Sequence, residues 1–231
     1  MKRLFLGTVL CLFALSAHAE CLFLTDEDEA WRLSGRAYVN MVEKCEEAEF
    51  DFSTQLPSGK IPFREIVVLG GEPQAVAAAL RAGADPNTTD KRGSPAFVDL
   101  INFTMDKDDS VVLEILRYLG EAGADFSIPD EYGDLALSKA AGGGETETTK
   151  LLLEYGADPN GLDTYLRTPL FQTVFGRCSP YVGDILIKYG ARLDPMREDQ
   201  VARMFDEAAK VCSDIPGGPE YIERLDRLSQ G

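Results

Sequence analysis

The sequence predicts an all-α repeat solenoid, and two markers held in one register predict it. The first is a shared ending: Leu80-Arg81-Ala82-Gly83-Ala84-Asp85-Pro86-Asn87, Glu121-Ala122-Gly123-Ala124-Asp125-Phe126, Glu154-Tyr155-Gly156-Ala157-Asp158-Pro159-Asn160 and Lys188-Tyr189-Gly190-Ala191-Arg192. The glycines of these endings are 40, 33 and 34 residues apart. The second is a shared start: Gly59-Lys60-Ile61-Pro62-Phe63, Gly93-Ser94-Pro95-Ala96-Phe97, Gly133-Asp134-Leu135-Ala136-Leu137 and Leu166-Arg167-Thr168-Pro169-Leu170, at intervals of 34, 40 and 33. Periods of this length belong to repeats that bury an apolar face only by stacking on their neighbours.

Each element has a physical rationale. Pro62 and Pro169 sit where a helix begins, at a position whose N–H has no helical partner to lose. The apolar residue that follows (Phe63, Phe97, Leu137, Leu170) is expected in the stack. A second helix then carries apolar residues at helical spacing, as in Leu151, Leu152, Leu153 or Ile185, Leu186, Ile187. It stops at a glycine able to take the left-handed C-cap conformation. The Ala-Asp-Pro-Asn stretch turns the chain back, with Asp and Asn side chains expected to bond local backbone.

On these residues the chain resembles the ankyrin-repeat family, whose unit of about 33 residues opens near Gly-x-Thr-Pro-Leu-His and closes near Gly-Ala-Asp. Thr168-Pro169-Leu170-Phe171 is the best opening. The motif histidine is replaced by Arg64, Val98, Ser138 and Phe171, and Leu166 stands in place of a glycine. The expected organisation is a signal peptide over 1–19, an N-terminal helical cap over 20–56, and four repeats over 57–195. The repeats divide at about 57–90, 91–130, 131–163 and 164–195. A C-terminal cap or degenerate fifth repeat follows over 196–231, because a solenoid must cover its apolar ends. Thr25 with Asp28 reads as a helix start leading to Trp31, Leu33, Tyr38, Val39 and Val42. At the other end Val201, Met204, Phe205 and Ala208, then Tyr221, Ile222 and Leu225 after Pro216-Gly217-Gly218-Pro219, read as helix–turn–helix.

The seven extra residues of the second repeat fall around Asn102–Asp109, at the loop joining its helices. Asp106, Asp108 and Asp109 lack the glycine and distal glutamate of a calcium loop, so a solvated acidic loop is expected. Asp158-Pro159-Asn160-Gly161-Leu162-Asp163 is read as a repeat turn. Gly142-Gly143-Gly144 is read as a helix-to-helix loop rather than a phosphate cradle, since no lysine follows and no strand precedes it.

Lys2 and Arg3, the short apolar run Leu4–Leu15 and Ala17-His18-Ala19 form a signal peptide cleaved after Ala19, so a periplasmic or secreted location is expected. A lipoprotein signal ending at Cys21 is the rival, disfavoured by Glu20 in front of it. The chain has 231 residues, 45% hydrophobic and 27% charged, which is globular rather than disordered. Its 23 Lys+Arg against 39 Asp+Glu give a charge of −16. Losing Lys2 and Arg3 takes that to −18, which argues against nucleic acid as a partner. No segment beyond the signal is long and apolar enough to insert in a membrane. Cleavage also removes His18, the one histidine. That excludes histidine-activated nucleophiles, imidazole metal sites and a histidine pH switch. No cofactor or metal is expected.

Four cysteines remain, an even number for an oxidising compartment. Cys178 and Cys212 are one repeat period apart, which predicts a Cys178–Cys212 disulfide. Cys21–Cys45 follows by elimination, on one condition. A straight helix from Asp26 to Cys45 is about 28 Å long, while four links from Cys21 reach about 14 Å. The helix must therefore break, with Ser34-Gly35 as the place.

The resemblance implies protein binding through turn tips and inner helices. The tip positions are Lys91, Arg92 and Ser94; Glu131, Tyr132 and Asp134; Thr164, Tyr165 and Arg167. Tyr132 and Tyr165, 33 residues apart, are expected on neighbouring tips, and exposed tyrosine beside arginine is hot-spot composition. The expected function is a non-catalytic interaction module, a monomer when free, that binds one protein partner. Resemblance to exported bacterial ankyrin proteins implies an immunity-like inhibitor of a basic, toxic hydrolase. An envelope housekeeping scaffold in oxidative-stress defence is the alternative. An enzyme would need a carboxylate pair in a cleft, and none stands out among the 39 acids.

Overall fold

Helices account for nearly all the regular structure in the computed structural model, which describes residues 36–47, 49–56, 60–70, 72–102, 109–175 and 177–230. They divide between two compact units. The first unit takes in residues up to 91 and 95–124, and the second takes in 92–94 and 125–231.

In the first unit, α1 (Arg36–Glu47) packs on α3 (Pro73–Arg81), and α3 packs in turn on α5 (Asp109–Glu121). Between them, α2 (Pro62–Glu65) runs straight into a π-helical turn, Ile66–Gly70, which α4 (Ala96–Asn102) covers. In the second unit, α6 (Ala136–Gly143) packs on α7 (Thr146–Glu154) and on α8 (Pro169–Gln172). There α9 (Pro180–Lys188) lies against α7, α8 and α11 (Gly218–Ser229), and α10 (Glu198–Val211) packs on α11. Among the described residues no strand forms; a single bridge joins Thr89 to Pro95.

Sequence and local structure meet at the helix ends. Pro62, Pro73, Pro169 and Pro180 each begin a helix. Thr168 caps α8, its hydroxyl accepting the Phe171 N–H at 3.3 Å. Phe63, Phe97, Leu137 and Leu170 are all buried. Gly83, Gly123, Gly156 and Gly190 hold φ between 87 and 93°, where a side chain would be strained. The alanine after each glycine then donates to the carbonyl five residues back: Ala84 to Ala79, Ala124 to Leu119, Ala157 to Leu152 and Ala191 to Leu186. The Gly-Ala pair is thus a helix stop, and all four alanines are buried.

Two expectations about turns need correction. In Gly142-Gly143-Gly144, only Gly144 leaves the helix; Gly142 and Gly143 form the last turn of α6. In the Ala-Asp-Pro-Asn turns, the aspartates do bond local backbone, with Asp85, Asp125 and Asp158 accepting the N–H two residues on. The asparagines reach the following turn instead. Asn160 donates from Nδ2 to the Gly190 carbonyl at 3.0 Å, and its Oδ1 accepts the Arg192 N–H at 2.8 Å. Asn87 reaches the Gly123 carbonyl at 3.5 Å.

Residues α9 to α11 are held by covalent and polar links. Cys178, between α8 and α9, is bonded to Cys212 at the end of α10, with Cα atoms 5.2 Å apart. Asp184 receives both Nε and Nη2 of Arg224 at 2.6 and 2.8 Å. The Tyr221 ring is fully buried, its hydroxyl 2.6 Å from that of Thr173, and burial pushes its phenol well above the usual range. It fits because residue 183 has no side chain: a Cβ there would lie 2.2 Å from the Tyr221 hydroxyl. Met204, Ala208 and Leu225 are buried alongside.

Cys45 is buried on α1 and is itself disulfide-bonded. Several expectations lie outside the described residues: the signal peptide, Cys21, the helix start at Thr25, the break at Ser34-Gly35 and the acidic loop 103–108.

Candidate functional site

Three turns share a pattern the tip residues belong to: Asp90-Lys91-Arg92-Gly93-Ser94, Asp130-Glu131-Tyr132-Gly133-Asp134 and Asp163-Thr164-Tyr165-Leu166-Arg167. The last two lie within the second unit and build a well-defined surface there. The Asp163 carboxylate is buried beneath its tip, with Oδ1 accepting the N–H groups of Tyr165 and Arg167 at 2.8 and 2.9 Å. Its Oδ2 accepts Arg167 Nε at 2.7 Å and Gln172 Nε2 at 3.4 Å. Asp130 repeats the arrangement, taking the N–H groups of Tyr132 and Asp134 at 2.9 Å each and Lys139 Nζ at 2.9 Å. Burial alone would lower the Lys139 pKa; hydrogen bonds to Asp130 and Asp134 outweigh it and raise it.

A buried carboxylate that collects the tip's own N–H groups leaves the tip side chains one direction to go. Tyr132 is 66% exposed and Tyr165 65% exposed. The tips are tied to each other, because the Thr164 hydroxyl donates to the Tyr132 carbonyl at 2.8 Å. Gln200 of α10, buried, donates to the Tyr165 carbonyl. Arg167 places its guanidinium carbon 4.7 Å from the centre of the Tyr165 ring, a cation–π contact, and stands 3.7 Å from Asp134. Glu131 pairs with Arg92. Two phenols stand on a backbone already fixed by hydrogen bonds, so little conformational entropy remains to be lost on binding.

Not every predicted tip residue presents itself. Ser94 is 2% exposed and faces the interior, so it is removed from the surface. Lys91, in the first unit, is exposed, as are Arg92 and Thr164; Glu131, Asp134 and Arg167 are half-buried. The structure adds residues that sequence reasoning missed: Asp130, Asp163 and Gln200 beneath the tips, and the exposed Leu162 and Leu166 beside them. The signal for the aspartates was present, since Asp90, Asp130 and Asp163 keep the 40 and 33 spacing of the glycine markers.

Leu166 is strained. It holds φ of 60° at the position where Gly93 and Gly133 hold 86 and 79°. The left-handed conformation costs a side-chain-bearing residue about 1–2 kcal/mol, and glycine returns part of that through its greater unfolded-state freedom. Leu166→Gly is therefore expected to raise the unfolding free energy by about 0.5–1 kcal/mol, read as a higher urea midpoint at unchanged slope. A lower midpoint would mean that the exposed leucine has packing the geometry does not account for.

Among the described residues no group of three or more His, Cys, Asp or Glu is placed to hold a metal ion, and no helix is long and apolar enough to cross a membrane.

No protein-family profile matches the chain. It is 32% identical over 114 residues to the human SH3 and multiple ankyrin repeat domains protein 2, covering 49% of this chain and 6% of that protein. It is 35% identical over 77 residues to the mouse cyclin-dependent kinase 4 inhibitor B, covering 33% of this chain and 58% of the inhibitor. The chain thus spans a small fraction of the first relative and rather more than half of the second. The crystal structure of EF0377, an ankyrin repeat protein, superposes with a TM-score of 0.65 at 20% identity, over 82% of this chain and 91% of that one. The repeated helix stops, the register of the turns and similarity in both sequence and fold give this chain an ankyrin-repeat fold.

Proposed function

We propose that the chain is an exported, non-catalytic module that captures one protein partner on the tips bearing Tyr132, Tyr165 and Arg167, and inhibits it as an immunity protein inhibits a toxic hydrolase. Ankyrin repeats are protein-interaction modules. The observation that carries the reading is the pair of tyrosines, about two-thirds exposed on tips pinned by the buried Asp130 and Asp163. Large exposed phenols on an ordered backbone, one beside an arginine, have the composition and rigidity of an interface anchor. The charge of −16, which becomes −18 once Lys2 and Arg3 are removed with the signal, would speed the approach of a basic partner. Lys2-Arg3, the apolar run to Leu15 and Ala17-His18-Ala19 would carry the chain to an oxidising compartment, where the Cys178–Cys212 bond is stable. The same surface and compartment also suit an envelope scaffold in oxidative-stress defence, and the partner's identity separates the two.

The test is a pull-down from native periplasm with oxidised protein, residues 20–231, beside the Tyr132→Ala/Tyr165→Ala variant. One dominant basic hydrolase retained by the first bait and lost from the second is the expected result. Equal recovery on both baits would remove the tips from the interface, and a non-enzymatic envelope partner would favour the scaffold.

A further inference from the structure

Three turns end the helix pairs that close at Gly83, Gly123 and Gly156, and one of them lacks a device the other two share. Asn160 spans to the next turn by offering its carboxamide to two main-chain groups, the Gly190 carbonyl and the Arg192 N–H. Asn87 reaches the Gly123 carbonyl in the same way. The equivalent residue of the middle turn is Ser127, whose hydroxyl folds back onto Asp125 of its own turn. The main-chain groups that a carboxamide would have joined there are the Gly156 carbonyl and the Asp158 N–H. Neither has a hydrogen-bond partner among the described residues.

Beside Ser127, within the second unit, is a pocket of about 220 Å³ that Asp158 also lines. Ser127 and Asp158 are its polar lining residues; Phe126, Leu137, Ala157 and Leu162 supply apolar wall. Two carboxylates attend it. Asp158 lines it, with one oxygen bonded to the Asn160 N–H. Asp125 stands next to Phe126, and the hydrogen bond from Ser127 holds its pKa below the usual carboxylate value, so it is anionic at neutral pH. The site therefore sets the Gly156 carbonyl and the Asp158 N–H, the counterparts of the groups Asn160 joins one turn along, beside negative charge.

From this we infer that the pocket at Ser127 receives the carboxamide of an asparagine or glutamine side chain from a partner polypeptide, next to a lysine or arginine that meets Asp158. The incoming side chain takes the place Asn160 occupies one turn along: its NH2 donates to the Gly156 carbonyl and its oxygen accepts the Asp158 N–H. Its methylene lies against Leu162 and Phe126. The inference rests on the protein-binding reading only in making a polypeptide the source of the carboxamide. It does not involve the tip tyrosines, so the peptide titration below and the pull-down above fail independently.

The test is an amide NMR titration of the intact oxidised protein with acetyl-lysyl-asparaginyl-lysine methylamide, which has no primary amide except the side chain. Saturable movement of the Asp158 amide is expected, with Kd near 1 mM (about −4 kcal/mol). Versions carrying aspartate or leucine at the centre are expected to bind at least about tenfold more weakly. Ser127→Asn supplies the missing carboxamide from within, so it should raise stability and abolish the response. Leu162→Arg, a change at an exposed position that repels the cationic probe, should abolish it without depending on that clamp. No saturable shift at Asp158, an equal response to the leucine probe, or binding that survives in both variants would overturn the inference. Asp158 shifts that depend on protein concentration without any probe would do so too, by making a second copy of this chain the occupant.

Discussion

Replacing Cys178 and Cys212 together by serine is expected to lower the unfolding free energy by roughly 3–4 kcal/mol. The bond closes a 34-residue separation, and most of its effect is exerted on the unfolded chain, whose ends it keeps from separating. In the folded state little should change, because Tyr221 remains buried against Thr173 and Asp184 still receives Arg224. The double serine variant is preferable to reductant, which would also open the separate bond of Cys45. At this chain length the loss corresponds to a Tm drop of roughly 6–16 °C. A drop of only a degree or two, with native helix content, would show that the unfolded ensemble keeps these segments together without the bond.

Asp163→Ala is expected to cost about 3 kcal/mol, at the lower end of the 3–5 kcal/mol for removing one partner of a buried ion pair, since Arg167 can turn toward water. The two tip N–H groups and Gln172 lose their acceptor at the same time. Asp163→Asn keeps an oxygen for the tip N–H groups and loses the charge facing Arg167, so about 1–2 kcal/mol is expected. Hydrogen exchange separates this from a general loss of stability. The Tyr165 and Arg167 amides should lose protection in the alanine variant and keep much of it in the asparagine variant. Protection that survives Asp163→Ala would mean that the Thr164 and Gln200 bonds hold the tip without the carboxylate. Loss of partner capture with the alanine variant alone would tie binding to the order of the tip.

What the sequence made legible was what the backbone demands locally. A glycine at a left-handed helix stop, a proline in a first turn and an aromatic residue in the stack leave the same mark wherever they occur. The register therefore survived the loss of the motif histidine at Arg64, Val98, Ser138 and Phe171. Cys178 and Cys212 were legible for the same reason, being one period apart. The buried Asp130 and Asp163 were hidden among 39 acids, because any aspartate in a turn has a satisfactory local explanation. Their burial comes from a tight turn closing over each of them, which spacing alone does not state. Asn160 misled in the same way: bonding its own backbone is as plausible on paper as reaching the next turn. Ser94 looked like a tip residue because it is small and polar, yet it lies at the point where the chain re-enters the core.

The contact between residue 183 and Tyr221 also limits how this chain can drift over generations. Any side chain at 183 would enter the space of the Tyr221 ring, whose hydroxyl, Cζ and Cε2 all lie within 2.4 Å of the site a Cβ would occupy. Acceptable change must therefore come in one order. Residue 221 has to become smaller first, and only then can 183 gain a methyl group; the reverse sequence passes through an overpacked intermediate. Descendants of this chain should inherit the two positions as a pair, 38 residues apart yet replaced together or not at all.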